Sequence, residues 1–203
     1  MFLYDILFII IGIIITILIL YKIYNLLYIY NNSIYVFSNI DNQYYLVRNT
    51  SNKQESADTL AIINKNINKL LNSLRVLQTK EDSNNKNIEL LLARYNPKHL
   101  MENIELDNTS YTINKGATVA VCLATRDLQE QIYDINNLMF VLIHELSHIG
   151  CVSTNHNEEF KNFFIFLLRK SIDCGIYTYQ DYTKKPIEYC GMIINSTPIH
   201  QSI

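Results

Sequence analysis

An α+β domain behind a single membrane-spanning helix is the fold this sequence predicts, on three observations. Residues 6 to 20 are wholly apolar apart from Thr16. From Asn32 onward, short strand-like runs alternate with stretches whose apolar residues recur at three- and four-residue spacing, the mark of amphipathic helices. Finally, the apolar run from Leu138 to Ile143 leads straight into His144, Glu145, Leu146, Ser147 and His148, with His156 eight residues further on.

The first element is the apolar run. It continues at low charge through Tyr30, with only Lys22 charged, and a hydrocarbon core of about 30 Å needs roughly 20 such residues. Asp5 precedes it and no small-residue cleavage site follows, so the expectation is an uncleaved single-pass anchor over residues 1–31 rather than a removed signal. Tyr21, Tyr24, Tyr28 and Tyr30 suit the membrane interface. Lys22 behind the run and Asp5 before it lean towards a cytoplasmic domain, whereas four asparagine sequons, at Asn31, Asn49, Asn108 and Asn195, would suit a luminal one. The orientation stays open.

Residues 32–203 are enough for one domain with its own core, read as a hairpin and helix over 32–93 and a metal-binding part over 94–203. Ile34 to Phe37 and Gln43 to Val47 flank a turn at 39–42 and read as a hairpin. Leu60, Ile63, Ile67, Leu70, Leu71, Leu74 and Leu77 form the stripe of an amphipathic helix, for core packing or, less simply, a coiled-coil seam. Residues 80–86 are polar and read as a loop. A short helix over 88–94 ends ahead of Pro97. Tyr111 to Asn114 and Thr118 to Leu123 suggest strands around a turn at Lys115 and Gly116. Gly150 is placed to end the histidine-bearing helix as a C′ residue, and Asn155 or Asn157 to cap a further helix over 158–171 whose apolar face is Phe160, Phe163, Phe164, Leu167 and Leu168.

The histidine pattern carries chemistry. On a helix, residues four apart share a face, so His144 and His148 can reach one ion while Glu145 lies beside its open side. A catalytic Zn²⁺ takes three protein ligands and keeps a position for water, whose proton Glu145 would accept as general base. A chain reversal over 151–155 brings His156 round as third ligand; Glu158 or Glu159 is the alternative, although both also suit the first turn of the next helix. Histidines satisfied within a core, without metal, are the plain competing reading. Residues 118–123, including Thr118, Val119, Ala120 and Val121, are read as the strand beside the metal to which a peptide substrate would add or, equally plainly, as a buried strand of the core. Tyr177, Tyr179, Tyr182 and Tyr189 are candidates for stabilising an oxyanion, and Asp181 or Glu188 for orienting a histidine. His99 and His200 lie outside the motif.

His144 to His148 followed by Asn155, His156 and Phe160 resembles the minimal zinc metallopeptidases of the WLM and SprT-like kind, in which an aromatic four residues past the third histidine packs beneath the site. The seven-residue spacer between His148 and His156 departs from the shorter WLM spacing. The stretches YYLVRN at 44–49 with Asp58, TSYTINKG at 109–116, GIY at 175–177 with Asp181 and Tyr182, and YCGM at 189–192 resemble membrane-anchored WLM-like proteins of large DNA viruses. That resemblance implies a zincin-like metallopeptidase domain, the HExxH helix packed on a small sheet, on an anchored protein associated with a virion or an internal membrane. It names no substrate.

Beyond the anchor there are 16 basic and 18 acidic residues, so no basic field exists to hold nucleic acid. This bears against the DNA-repair role of some WLM and SprT-like enzymes. Two alternatives remain: a DNA-repair-type protease acting on crosslinked protein, and a zinc-stabilised structural protein of a viral membrane or particle with Cys151 as fourth ligand in a closed shell. Cys122, Cys151, Cys174 and Cys190 form no CxxC pair and are read as free thiols or as one or two disulfides. Oligomeric state is not legible.

Overall fold

A computed structural model describes residues 2–77, 84–105 and 109–199, and shows a mixed α+β protein behind one long N-terminal helix. That helix, α1 (Phe2–Asn32), contains a 27-residue stretch, Ile6–Asn32, long and apolar enough to cross a membrane. Its most apolar window is entirely unburied among the described residues, unlike a core helix. At about 1.5 Å per residue the stretch reaches about 40 Å. Thr16, the polar exception, donates its hydroxyl to the Gly12 carbonyl (2.8 Å) and so presents no unmet donor.

The body follows without a linker. β1 (Ser33–Ser38) and β2 (Gln43–Arg48) form the expected antiparallel hairpin, and Ser33 Oγ ties its start back to the Ile29 carbonyl at 2.7 Å. α2 (Lys53–Leu77) lays its predicted stripe against the hairpin and the rest of the core: Leu60, Ile63, Ile67, Leu70, Leu71 and Leu74 are all buried. The stripe is therefore spent on intramolecular packing. Most of the predicted loop at 80–86 lies outside the described residues, and α3 (Asn85–Arg94) begins three residues earlier than its apolar pattern indicated.

β3 (Leu100–Glu102), β4 (Tyr111–Ile113) and β5 (Thr118–Val121) make a three-stranded sheet in the order β3-β5-β4, with β5 parallel to β3 and antiparallel to β4. The β4–β5 turn uses left-handed backbone at Asn114, Lys115 and Gly116. α4 (Ile135–Gly150) and α5 (Glu158–Asp173) pack on one another, and a last hairpin, β6 (Ile187–Tyr189) with β7 (Met192–Ile194), follows. Cys122, just past β5, is disulfide-bonded to Cys190 in that hairpin, whereas Cys151 and Cys174 are free. One hydrophobic core runs from Tyr45 to Ile199.

A buried ion pair joins the first hairpin to the sheet. Both oxygens of Glu102, whose side chain is 2% exposed, accept from Arg48, one from its backbone N–H and one from Nε, each at 2.9 Å. Arg48 also meets Glu130 at 3.3 Å and keeps that carboxylate when Glu102 is removed, so the loss is smaller than the ~3 kcal/mol of a buried charge left without any partner. Glu102→Ala is accordingly expected to lower the melting temperature by about 2–6 °C. Thermal denaturation followed by circular dichroism checks this; an unchanged midpoint would show the pair to be idle.

Candidate metal centre

α4 supplies two of the three histidines. Asp134 caps its N-terminus, accepting from the Asn136 N–H at 2.9 Å, and Leu138, Met139, Leu142, Ile143, Leu146 and Ile149 bury it in the core. Four-residue spacing then stacks His144 and His148 on the one side that faces a cleft. The chain reverses after Gly150 and presents His156 from the loop ahead of α5, which Asn157 caps by accepting from the Phe160 N–H at 3.1 Å.

The three rings meet tip to tip. Their Nε2 atoms lie 3.2 Å (His144 to His148), 3.2 Å (His148 to His156) and 3.0 Å (His144 to His156) apart, while the ring centroids stay 4.7–4.9 Å apart. A tetrahedral ion about 2.0–2.1 Å from each nitrogen would space its ligand atoms about 3.3 Å apart, so the triangle is of the right size. Each Nε2 has a single in-plane direction, as lone pair or N–H, and three that converge on one point cannot all be satisfied by one another. A cation at that point satisfies all three. Burial, aided by the neighbouring imidazoles, pushes His144 down to about 3; burial, then His156 and the Lys115 ammonium, pushes His148 down to about 4. Both are thus held as the neutral ligand form. The triad can hold a metal ion.

Phe160 floors the triad, its ring centroid 4.8, 4.3 and 4.7 Å from those of His144, His148 and His156, and Phe164 stands edge-on to His144 at 5.2 Å. The aromatic four residues past the third histidine thus packs beneath the site. Glu145 is buried and lines the same cleft; desolvation raises its carboxyl to about 7, with the Thr112 hydroxyl pulling the other way. Neither glutamate near His156 joins the cluster. Glu158 pairs with Lys161 at 2.8 Å, and Glu159 turns back to the loop, accepting from the Val152 and Ser153 N–H groups. Cys151 is not a fourth member: it is buried, with Asn87 Nδ2 3.8 Å from its sulfur. His99 is elsewhere, donating from Nδ1 to the Gly116 carbonyl, and His200 lies outside the described residues.

The cleft measures about 1070 Å³. One wall is residues 109–112 with Asn114 and Lys115; the other is the segment from Met192 to Pro198, in which sequence patterns marked Met192 and Asn195 but no cleft. Here the expected strand assignment needs correcting. Thr118, Val119, Ala120 and Val121 form the middle strand, paired on both edges, and none of them lines the cleft. A strand so enclosed has no free backbone for a peptide. The cleft-side strand is β4, at the edge of the sheet. Of the candidate tyrosines only Tyr189 reaches the cleft, and its hydroxyl is engaged with Ser110 Oγ (2.6 Å) and the Cys122 carbonyl (2.8 Å). Tyr182 donates to Asn137 instead. Asp181 holds Thr183 and Lys184, and Glu188 accepts from Tyr133 and the Gly191 N–H, so neither orients a histidine.

Fold and site together define a class: α+β proteins with an N-terminal apolar helix and a histidine triad able to hold a metal ion. The sequence comparisons place the chain more narrowly. Uncharacterized protein R325 of Acanthamoeba polyphaga mimivirus is 44% identical to it over 162 residues, covering 79% of this chain and 82% of the viral protein. The chain belongs to the same family as that protein. It is also similar to uncharacterized protein 136R of Invertebrate iridescent virus 6, 28% identical over 157 residues (74% of this chain, 84% of the relative). Uncharacterized protein 042R of Invertebrate iridescent virus 3 is 35% identical over 106 residues, 50% of this chain and 62% of that protein. These relatives are proteins of large DNA viruses. No family model matches the chain, and no solved structure does.

Proposed function

We propose that this chain is a membrane-anchored zinc peptidase of the zincin kind, in which His144, His148 and His156 hold the ion and Glu145 is the general base. The observation that carries the reading is the meeting of three imidazole tips and one buried carboxylate in a cleft bounded by an edge strand. Likeness of the histidine motif to WLM and SprT-like metallopeptidases points the same way.

Zinc, when bound, polarises a carbonyl and makes a water acidic enough to attack it near neutral pH. Glu145 takes the proton and returns it to the leaving amine. Phe160 and Phe164 keep bulk water from the underside of the triad. The outer edge of β4, unpaired among the described residues, offers backbone partners to an extended peptide, the role first read onto 118–123. Val141, Met192, Ile193 and Pro198 make the cleft receptive to apolar side chains. α1 holds the protein at a membrane.

A structural zinc site is closed by a fourth protein ligand. That no fourth ligand joins the triad among the described residues supports catalysis over the purely structural alternative, and the slight net negative charge weighs against the DNA-repair reading. The test uses the full chain in detergent. One zinc per chain is expected, with hydrolysis of a fluorogenic protein substrate that stops on chelation and returns with zinc; His148→Ala should lose both metal and activity. A parent chain that binds no zinc would overturn the proposal.

A further inference from the structure

We infer that Glu159 is the positioning residue for the third histidine, an inference that rests on the metal-site reading above. His144 and His148 ride on a helix buried in the core, but His156 sits on a loop whose residues 154–157 are exposed and whose Val152 is 56% exposed. Apolar packing fixes only its ends, at Cys151 and Phe160. Between them the backbone is held by polar contacts.

The contacts divide by sign. Carbonyls at the end of α4, left without helical partners, are taken up by cations and an amide. Lys115 Nζ donates to the His148 carbonyl at 3.0 Å and to that of Ser153; an Arg94 guanidinium N–H donates to Ile149 (2.8 Å) and Cys151 (3.0 Å); Asn87 Nδ2 donates to Gly150 (3.1 Å). Two N–H groups at the start of the loop have one partner in common, while that of Asn155 donates to Ser153 Oγ at 3.1 Å. Glu159 Oε1 accepts from Val152 N–H and from Asn87 Nδ2, both at 2.9 Å, and its Oε2 accepts from Ser153 N–H at 3.1 Å. Because Glu159 belongs to the first turn of α5, these bonds close a short ring, Val152 to Glu159, with His156 inside it. The carboxylate also joins the ring to α3 through Asn87. Asn87 reaches both Gly150 and Glu159 from α3, but among the described residues it is Glu159 that takes up the Val152 and Ser153 N–H groups. Glu159 thus fixes where the ring of His156 can stand, and touches no metal itself.

Outer residues that orient a metal ligand are worth 10–100-fold in affinity. In the full chain, Glu159→Ala is expected to weaken zinc binding by about that factor in competition with a chromophoric chelator, and Glu159→Gln, which keeps one carbonyl acceptor, by less. Glu158→Gln, at the exposed neighbour, should bind as the parent does. In a His156→Ala background, Glu159→Ala should change the affinity by less than about twofold, since coupled residues are not additive. Cobalt-loaded Glu159→Ala should show weakened tetrahedral absorption bands resembling those of His156→Ala. Parent-like zinc affinity in Glu159→Ala, or full additivity with His156→Ala, would overturn the assignment while leaving the metal centre standing; a parent that binds no zinc would remove both.

Discussion

Glu145→Gln is expected to cut peptide hydrolysis by about 10³-fold, within the range that positioned acid-base groups contribute, while zinc stays bound. The amide keeps the shape of the carboxylate but cannot accept and return a proton. Metal retention is expected because the proposed ligand set, the three histidine tips, does not include Glu145. Steady-state rates alongside metal analysis of the same preparation separate the two effects. A variant that kept more than a tenth of the parent rate would put the base elsewhere in the cleft.

Gly150→Ala should be among the most damaging single-methyl changes in the body. A Cβ at Gly150 would stand 2.3 Å from Phe163 Cε1 and 3.0 Å from the Asn87 backbone carbonyl oxygen. Phe163 is 1% exposed and has nowhere to retreat, so α4 and α5 must part. Overpacking of a filled core costs about 1–3 kcal/mol, a fall of several degrees in melting temperature for a chain of this size. Since α5 carries Phe160 and Glu159, zinc affinity should fall as well. Phe163→Leu in the Gly150→Ala background should restore part of both, because residues in contact do not add. A Gly150→Ala chain as stable as the parent would mean that the two helices are not packed as described.

Gly150 also shows where sequence reasoning stops. Its place after the last periodic residue suggested a left-handed stop, yet the helix runs through Gly150 and Cys151 takes the cap; the need for glycine comes from a ring on another helix, which no local pattern reports. The triad was legible because four-residue spacing fixes a shared helical face, and because Asn157 before Glu158 and Glu159 announces the next helix. Strand order was not. Val119 to Val121 reads as a buried strand whether central or at an edge, and its neighbour β3 is only three residues long, too short to show alternation. The cleft wall from Met192 to Pro198 and the contacts of Asn87, Arg94 and Lys115 with the return loop depend on residues brought together from far apart in the chain. Among the tyrosines, only the positions of Ser110 and the Cys122 carbonyl reveal that the Tyr189 hydroxyl is already engaged.

The most direct test of a zinc peptidase centred on His144, Glu145, His148 and His156 is to incubate the zinc-loaded full chain with an unbiased peptide library and sequence the new termini. The account predicts cleavage that shares a side-chain preference, disappears with chelator and is absent in Glu145→Gln. A chain carrying one zinc that generates no new termini would contradict it.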